Sequence, residues 1–129
     1  MIDKRTNAKD LPSLFKDGQS IMLGGFGLPG TPLTLIEAVL ESGARDLVLI
    51  KNEANEPGMG ISLLAEAGRA KKIILSHLGL NSTVIEMMNK GEVEVEFYPQ
   101  GILAEKIRCG GAGFKGFLTD IGQDTFIKQ

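Results

Sequence analysis

The run Ile21-Met22-Leu23-Gly24-Gly25-Phe26-Gly27-Leu28-Pro29-Gly30-Thr31-Pro32 sets four glycines and two prolines behind three apolar residues. Gly25, Gly27 and Gly30 spell G-x-G-x-x-G, the spacing with which a strand-to-helix turn holds a dinucleotide pyrophosphate. Glu53 stands about 20 residues further on, where an acid would meet a ribose hydroxyl. Two prolines oppose that reading. In the dinucleotide turn the helix begins inside the glycine motif. Here Pro29 and Pro32 push the helix start past Gly30, because proline inside a helix loses a hydrogen bond and clashes with the preceding turn. Two other readings stand beside it. The glycines can form a tight turn that only packs a helix on a strand. They can also let a bulky ligand approach bare backbone, with N–H groups and a helix N-terminus facing it.

The other reactive side chains are sparse. His77 is the single histidine and sits at a strand end, where a structural or surface role is the ordinary one. Cys109 is the single cysteine. It lies late in a helix with no base near it in sequence, and reads as a packing residue rather than a nucleophile. Glu53, Glu56 and Glu105 are candidate carboxylates, but acids near helices and loops are usually solvated. No Ser/His/Asp set and no metal-ligand cluster stands out, so no metal is expected.

The elements that must position these residues follow from hydrophobic periodicity. Residues 7–16 hold Leu11, Leu14 and Phe15 at helical spacing, with Pro12 in the first turn. Residues 20–26 read as a short buried strand. Residues 31–43 form the clearest helix, capped by Thr31, with Pro32 in its first turn. Its stripe is Leu33, Ile36, Val39 and Leu40, and Gly43 closes it. Strands follow at 46–52 and 71–77, with a short helix over 61–68 between them. Residues 81–91 are a helix opening on a Thr83–Glu86 capping box. Residues 92–99 alternate strictly, with Val93, Val95 and Phe97 on one face and Glu92, Glu94 and Glu96 on the other. That marks a strand with one wet face, near a sheet edge. A helix over 101–109 ends in a flexible turn at Gly110, Gly111 and Gly113, and 114–119 reads as a fifth strand.

Strands alternating with helices give an α/β fold with an open, mainly parallel sheet, since parallel neighbours need a crossover. Such sheets place ligands at the carboxyl ends of their strands. Those ends are Gly24-Gly25-Phe26, Lys51-Asn52-Glu53, Ser76-His77 and Pro99-Gln100-Gly101, mostly small or polar residues straight after apolar runs.

The bulk numbers narrow the class. The chain has 129 residues, which fits one α/β domain over 1–129. Formal net charge is −2, from 14 basic and 16 acidic side chains, with no basic stripe, so nucleic acid is not expected as a partner. A single cysteine allows no internal disulfide and fits a reducing compartment. The polar N-terminus lacks the apolar centre of a signal peptide, and no apolar run is long enough to span a bilayer. The expectation is a cytoplasmic protein without membrane contact.

The glycine run carries more than its triplet. Asp17-Gly18, Ile21-Met22-Leu23-Gly24-Gly25-Phe26, Gly30 and Pro32 together resemble the first signature of the two-subunit coenzyme A transferases, in their α (A) subunit. The stretches at 43–54 (GARDLVLIKNEA) and 98–119 (YPQGILAEKIRCGGAGFKGFLT) are similar to the same family. The resemblance implies an open α/β fold shared with ribose-5-phosphate isomerase-like proteins. It implies transfer of CoA from a short-chain acyl-CoA or 3-oxoacyl-CoA to a free carboxylic acid. In that chemistry a glutamate carboxylate attacks the thioester and forms an anhydride. The CoA thiolate then adds to give an enzyme thioester, which passes CoA to the second acid. The glutamate belongs to the β subunit, so its absence here is expected.

Further implications attach to single residues. Gly24, Gly25, Phe26, Gly27, Leu28, Pro29 and Gly30 match the family's CoA-contact segment. Gln100 matches a glutamine beside the reacting thioester, where a neutral amide can donate to a developing oxyanion. Asn52 matches an active-site-facing position more loosely. CoA and acyl-CoA are expected as substrates, with no permanently bound cofactor. Partners are a β subunit and short-chain carboxylates, in an oligomer. Two other outcomes stay open: an NAD-type module, or a non-catalytic fragment that self-associates. Family α subunits run on beyond the length of this chain, and Thr119-Asp120-Ile121-Gly122 departs from their Thr-Pro-Thr-Gly. The chain is therefore expected to be the N-terminal part of such a subunit, by truncation, proteolysis or gene splitting. Thr125–Gln129 reads as the first strand of an unfinished hairpin.

Overall fold

The computed structural model describes residue 3 and residues 5–125. A 3-10 helix, Ala8–Leu14, comes first. The order is then β1 (Ser20–Met22), α1 (Leu33–Ser42), β2 (Leu47–Ile50), α2 (Ser62–Glu66), β3 (Ala70–Leu75), α3 (Ser82–Asn89), β4 (Glu94–Phe97) and α4 (Gln100–Gly111). The sheet order is β1-β2-β3-β4, and every pairing is parallel. The expected open parallel sheet is present, with β4 at one edge and β1 at the other.

The register explains both faces. Ile21 pairs with Leu49, Leu49 with Ile73 and Ile73 with Val95, so one row of apolar side chains crosses all four strands. That row meets Ile36 and Val39 of α1, Leu64 and Ala65 of α2, and Val84 of α3 in one continuous core. Each crossover advances one strand in the same direction. Right-handed crossovers of that kind stack their helices on a single face. The neighbouring row, Met22–Ile50–Ile74–Glu96, points to the other side, where Leu103 and Ile107 of α4 border a cavity of about 250 Å³. On the same side Lys72 of β3 bridges Glu96 and Glu94 of β4, the latter at 2.9 Å. Glu96 first, and then Glu94, hold the Lys72 ammonium charged well above its usual range.

Several expectations need correction. Residues 114–119 form no strand. They are exposed apart from half-buried Phe117, because an apolar run becomes a strand only where a neighbour offers its ladder, and none lies alongside. All but Leu118 line a cavity of about 430 Å³ beside Tyr98, Ile102 and Cys109 instead. The N-cap of α1 is Pro32, not Thr31, and Leu33 is exposed rather than part of the stripe. The N-cap of α3 is Asn81, whose side chain accepts from the Val84 N–H at 2.8 Å; Thr83 plays no capping part, and Glu86 pairs with Lys90 on the surface. Pro12 sits deep in the 3-10 helix, not in a first α-turn. Gly110 and Gly111 belong to the last turn of α4 rather than to a loop. Of the expected strand Thr125–Gln129, residues 126–129 lie outside the described residues, and Thr125 closes a turn onto Gly122.

Candidate functional site at the carboxyl ends of the strands

The glycine turn leaves β1 at the carboxyl end of the sheet. It is drawn tight by its own backbone: the Phe26 N–H donates to the Pro29 carbonyl at 3.1 Å, and the Thr31 N–H to the Leu28 carbonyl at 3.0 Å. Gly25 has φ +105°, and a Cβ there would stand 2.6 Å from the Thr31 hydroxyl and 2.7 Å from the Thr31 nitrogen. Gly25 is therefore required by close approach of backbone to backbone. The turn throws Phe26 and Leu28 outward, 74% and 45% exposed, and α1 begins only after Pro32. That late start is the one the two prolines imply, and it differs from the dinucleotide turn.

Behind the turn lies a buried polar cluster. Strand alternation puts Leu47 and Leu49 of β2 on the core face. The chain bends at Asn52 and meets β3 again where Glu53 forms a bridge with His77, and Lys51 and Glu53 are both buried. Their side chains form an almost wholly buried ion pair. Burial pushes the Glu53 carboxyl up. The Lys51 ammonium, the Asn52 amide and the Gly27 amide outweigh it and hold the group below the ordinary carboxylate value. Both charges gain further hydrogen bonds, the condition under which a buried pair is tolerated. Asn52 donates to Glu53 at 2.7 Å and Lys51 to the Gly27 carbonyl at 3.3 Å.

Two asparagines complete the support. Asn55 adopts φ +61°, donates to the Gly27 carbonyl at 2.9 Å and accepts from the Ile61 N–H at 3.1 Å. Gly60 packs against it so closely that any Cβ would overlap the Asn55 amide. Asn81 donates to the Ala54 and Asn55 carbonyls and to the Ser62 hydroxyl. A small cavity of about 40 Å³ opens between Gly27, Leu28, Glu53, Asn55, Met59 and Leu80.

The remaining expected residues distribute unevenly. Asn52 is half-buried and accepts from the Ser76 hydroxyl at 2.9 Å, which also meets His77 Nδ1 at 3.1 Å. Gln100 is exposed at the first turn of α4. It shares the carboxyl end with the glycine turn but follows the opposite edge strand. Three strand spacings, about 14 Å, separate β1 from β4, and Asn52 follows β2, one of the two strands between them. Cys109 is buried, as a packing residue should be. Glu56 is exposed, and Glu105 pairs with Arg108 on the surface of α4. Among the described residues no group of three metal-ligating side chains exists. The sequence reading placed Lys51 at a strand end but gave it no role, and it missed Asn55, and Asn81 as a bridge. One signal was available: the alternation of Leu47 and Leu49 continues through Lys51 and Glu53.

The family described as Coenzyme A transferase matches residues 5–129. The chain is 46% identical to the acetate CoA-transferase subunit alpha of Escherichia coli K12, over all of this chain and 59% of that protein. It is 50% identical to a probable coenzyme A transferase subunit alpha of Bacillus subtilis, over 84% of this chain and 48% of that one. It thus spans about half to three-fifths of the curated relatives it matches. An acyl-CoA transferase of Escherichia coli O157:H7, solved as a thioester complex with CoA, superposes with a TM-score of 0.81 at 25% identity. That likeness covers 95% of this chain and 25% of the other. The glycine turn, the parallel sheet beneath it and the chain-long likeness agree: the protein belongs to the coenzyme A transferase family.

Proposed function

We propose that this chain works as the α subunit, or its N-terminal part, of a cytoplasmic CoA-transferase that moves CoA from a short-chain acyl-CoA or 3-oxoacyl-CoA to a free carboxylic acid. The observation that carries the reading is the likeness to acetate CoA-transferase subunit alpha over the whole of this chain. The acid nucleophile comes from a β subunit. The one deeply buried carboxylate at this end, Glu53, is tied to Lys51, Asn52 and the glycine turn, and a carboxylate so engaged is a poor nucleophile. This chain supplies the cradle. The turn 24–30 and Asn52 meet the CoA arm. The exposed Gln100 amide donates to the oxyanion that forms when the carboxylate attacks the thioester carbon, a contribution of about 2–4 kcal/mol when preorganised. The same amide faces the second tetrahedral adduct, formed when CoA thiolate attacks the anhydride. CoA enters and leaves as substrate.

The test is CoA exchange between acetoacetyl-CoA and acetate, with and without a β subunit of the family. Exchange is expected from the mixture and from neither chain alone. Full exchange by this chain alone overturns the reading, as does a mixture that exchanges nothing.

A further inference from the structure

One peptide unit in the glycine turn is gripped from three sides. The Gly27 carbonyl accepts from the Thr31 hydroxyl at 2.8 Å, the Asn55 amide at 2.9 Å and the Lys51 ammonium at 3.3 Å. A backbone carbonyl has two lone pairs, so three donors are more than it needs for satisfaction. Two of them, Lys51 and Asn55, are almost wholly buried and come from a different part of the chain, the segment that follows β2. Glu53 fixes both: it is paired with Lys51 and lies 3.5 Å from the Asn55 amide.

Hydrophobic burial holds the turn only weakly. Phe26 is largely in solvent and Leu28 is about half covered, at 74% and 45% exposure. Gly24, Gly25, Gly27 and Gly30 have no side chains to pack. The orientation of the turn relative to the sheet therefore rests chiefly on these directed polar contacts and on its covalent ends. An apolar pair at 51 and 53 would serve a core at least as well, because buried ion pairs add little net stability over apolar groups of similar shape.

We infer that Lys51, Glu53, Asn55 and Thr31 are positioning residues, a clamp on the Gly27 peptide that aims the glycine turn at the substrate without touching it. This rests on the transferase reading. The pair is neutral as a unit, so it adds no net charge beneath a site that must accept an anionic carboxylate.

Two variants test it in the complex with a β subunit of the family: T31V, which is mild, and N55D, which is severe because it sets a second buried carboxylate beside Glu53. T31V keeps the shape of Thr31 and removes one donor. N55D keeps the acceptor for the Ile61 N–H and turns an oxygen toward the Gly27 carbonyl. T31S returns the hydroxyl. Each lost contact is expected to lower kcat about tenfold at saturating acetoacetyl-CoA and acetate. The melting temperature of T31V should stay within about 2 °C of the parent, a shift smaller than 1 kcal/mol produces. T31S should restore turnover. Hydrogen exchange of the peptide covering 24–31 should accelerate in T31V and N55D, with α3 unchanged in T31V. This arm needs no activity. If exchange and kcat of both variants match the parent complex, the clamp is refuted while the transferase reading stands. If exchange accelerates but kcat is unchanged, the clamp holds the turn without serving turnover, which also refutes it. An inactive parent complex overturns the transferase reading itself, and the clamp's role in turnover with it.

Discussion

The Lys51 ammonium and the Glu53 carboxylate face each other two residues apart, on the buried side of the chain that leaves β2. Both side chains are almost wholly buried. Taking two ions out of solvent costs several kcal/mol each, and only mutual attraction with full hydrogen bonding offsets it. Removing one partner is therefore worse than removing both. K51M is expected to cost about 3–5 kcal/mol, because it strands a buried carboxylate. K51M/E53L is expected to recover most of that loss. Urea unfolding of the two single variants and the double closes the cycle; strict additivity would show the pair to be uncoupled.

Acid should weaken the fold through the same carboxylate. Glu53 sits below its ordinary value of 4.5 in the folded chain. A depressed carboxylate contributes stability that is complete above its unfolded pKa and is lost as pH falls through the folded one. The urea midpoint is thus expected to hold from pH 7 to about 5 and to drop below 4.5, with a shallower drop in E53Q. Identical slopes for parent and E53Q would remove Glu53 as the source.

Gly25 and Gly24 are adjacent but not equivalent. At Gly25 an added Cβ meets Thr31 backbone and side chain inside 3 Å, at φ +105°; at Gly24 the nearest atom is the Gly30 carbonyl oxygen at 3.8 Å. G25A is expected to destabilise by about 2–3 kcal/mol, the cost of a strained backbone plus a clash. G24A should stay below about 1 kcal/mol. Thermal unfolding of both separates a turn closed by backbone contact from one left open along its length.

Gln100 should act on turnover alone. It is exposed in the first turn of α4, so Q100A is expected to leave stability within about 0.5 kcal/mol. In the complex with a β subunit its loss should lower kcat for CoA exchange by about 10²–10³, the range found when one oxyanion donor is removed. A kcat within threefold of the parent would place the oxyanion donor elsewhere.

Much of this architecture was legible because it rests on local periodicity. The strands around Leu49 and Ile73 are continuous apolar runs, the pattern expected of parallel strands covered by crossover helices. The carboxyl-end turns follow from chain direction alone. Failures came where a distant partner decides. Residues 114–119 have a strand's composition but no neighbour to pair with. Thr31 looks like a helix cap, yet its hydroxyl serves Gly27. Thr83 and Glu86 have capping-box spacing, but Asn81 lies closer to the helix start and accepts its bond. Lys51 was the deepest omission, since a lysine is read as solvated unless its partner is known, and here the partner is two residues away. The placement of Gln100 across the sheet from the glycine turn follows from strand order, which no single stretch encodes.

Asn81 ties two parts of the chain together. Its carbonyl oxygen completes the start of α3, while its amide closes onto Ala54, Asn55 and Ser62, more than 18 residues upstream. One side chain thus serves both the helix start and the earlier segment beneath it. This corner of the molecule should accordingly open as one unit.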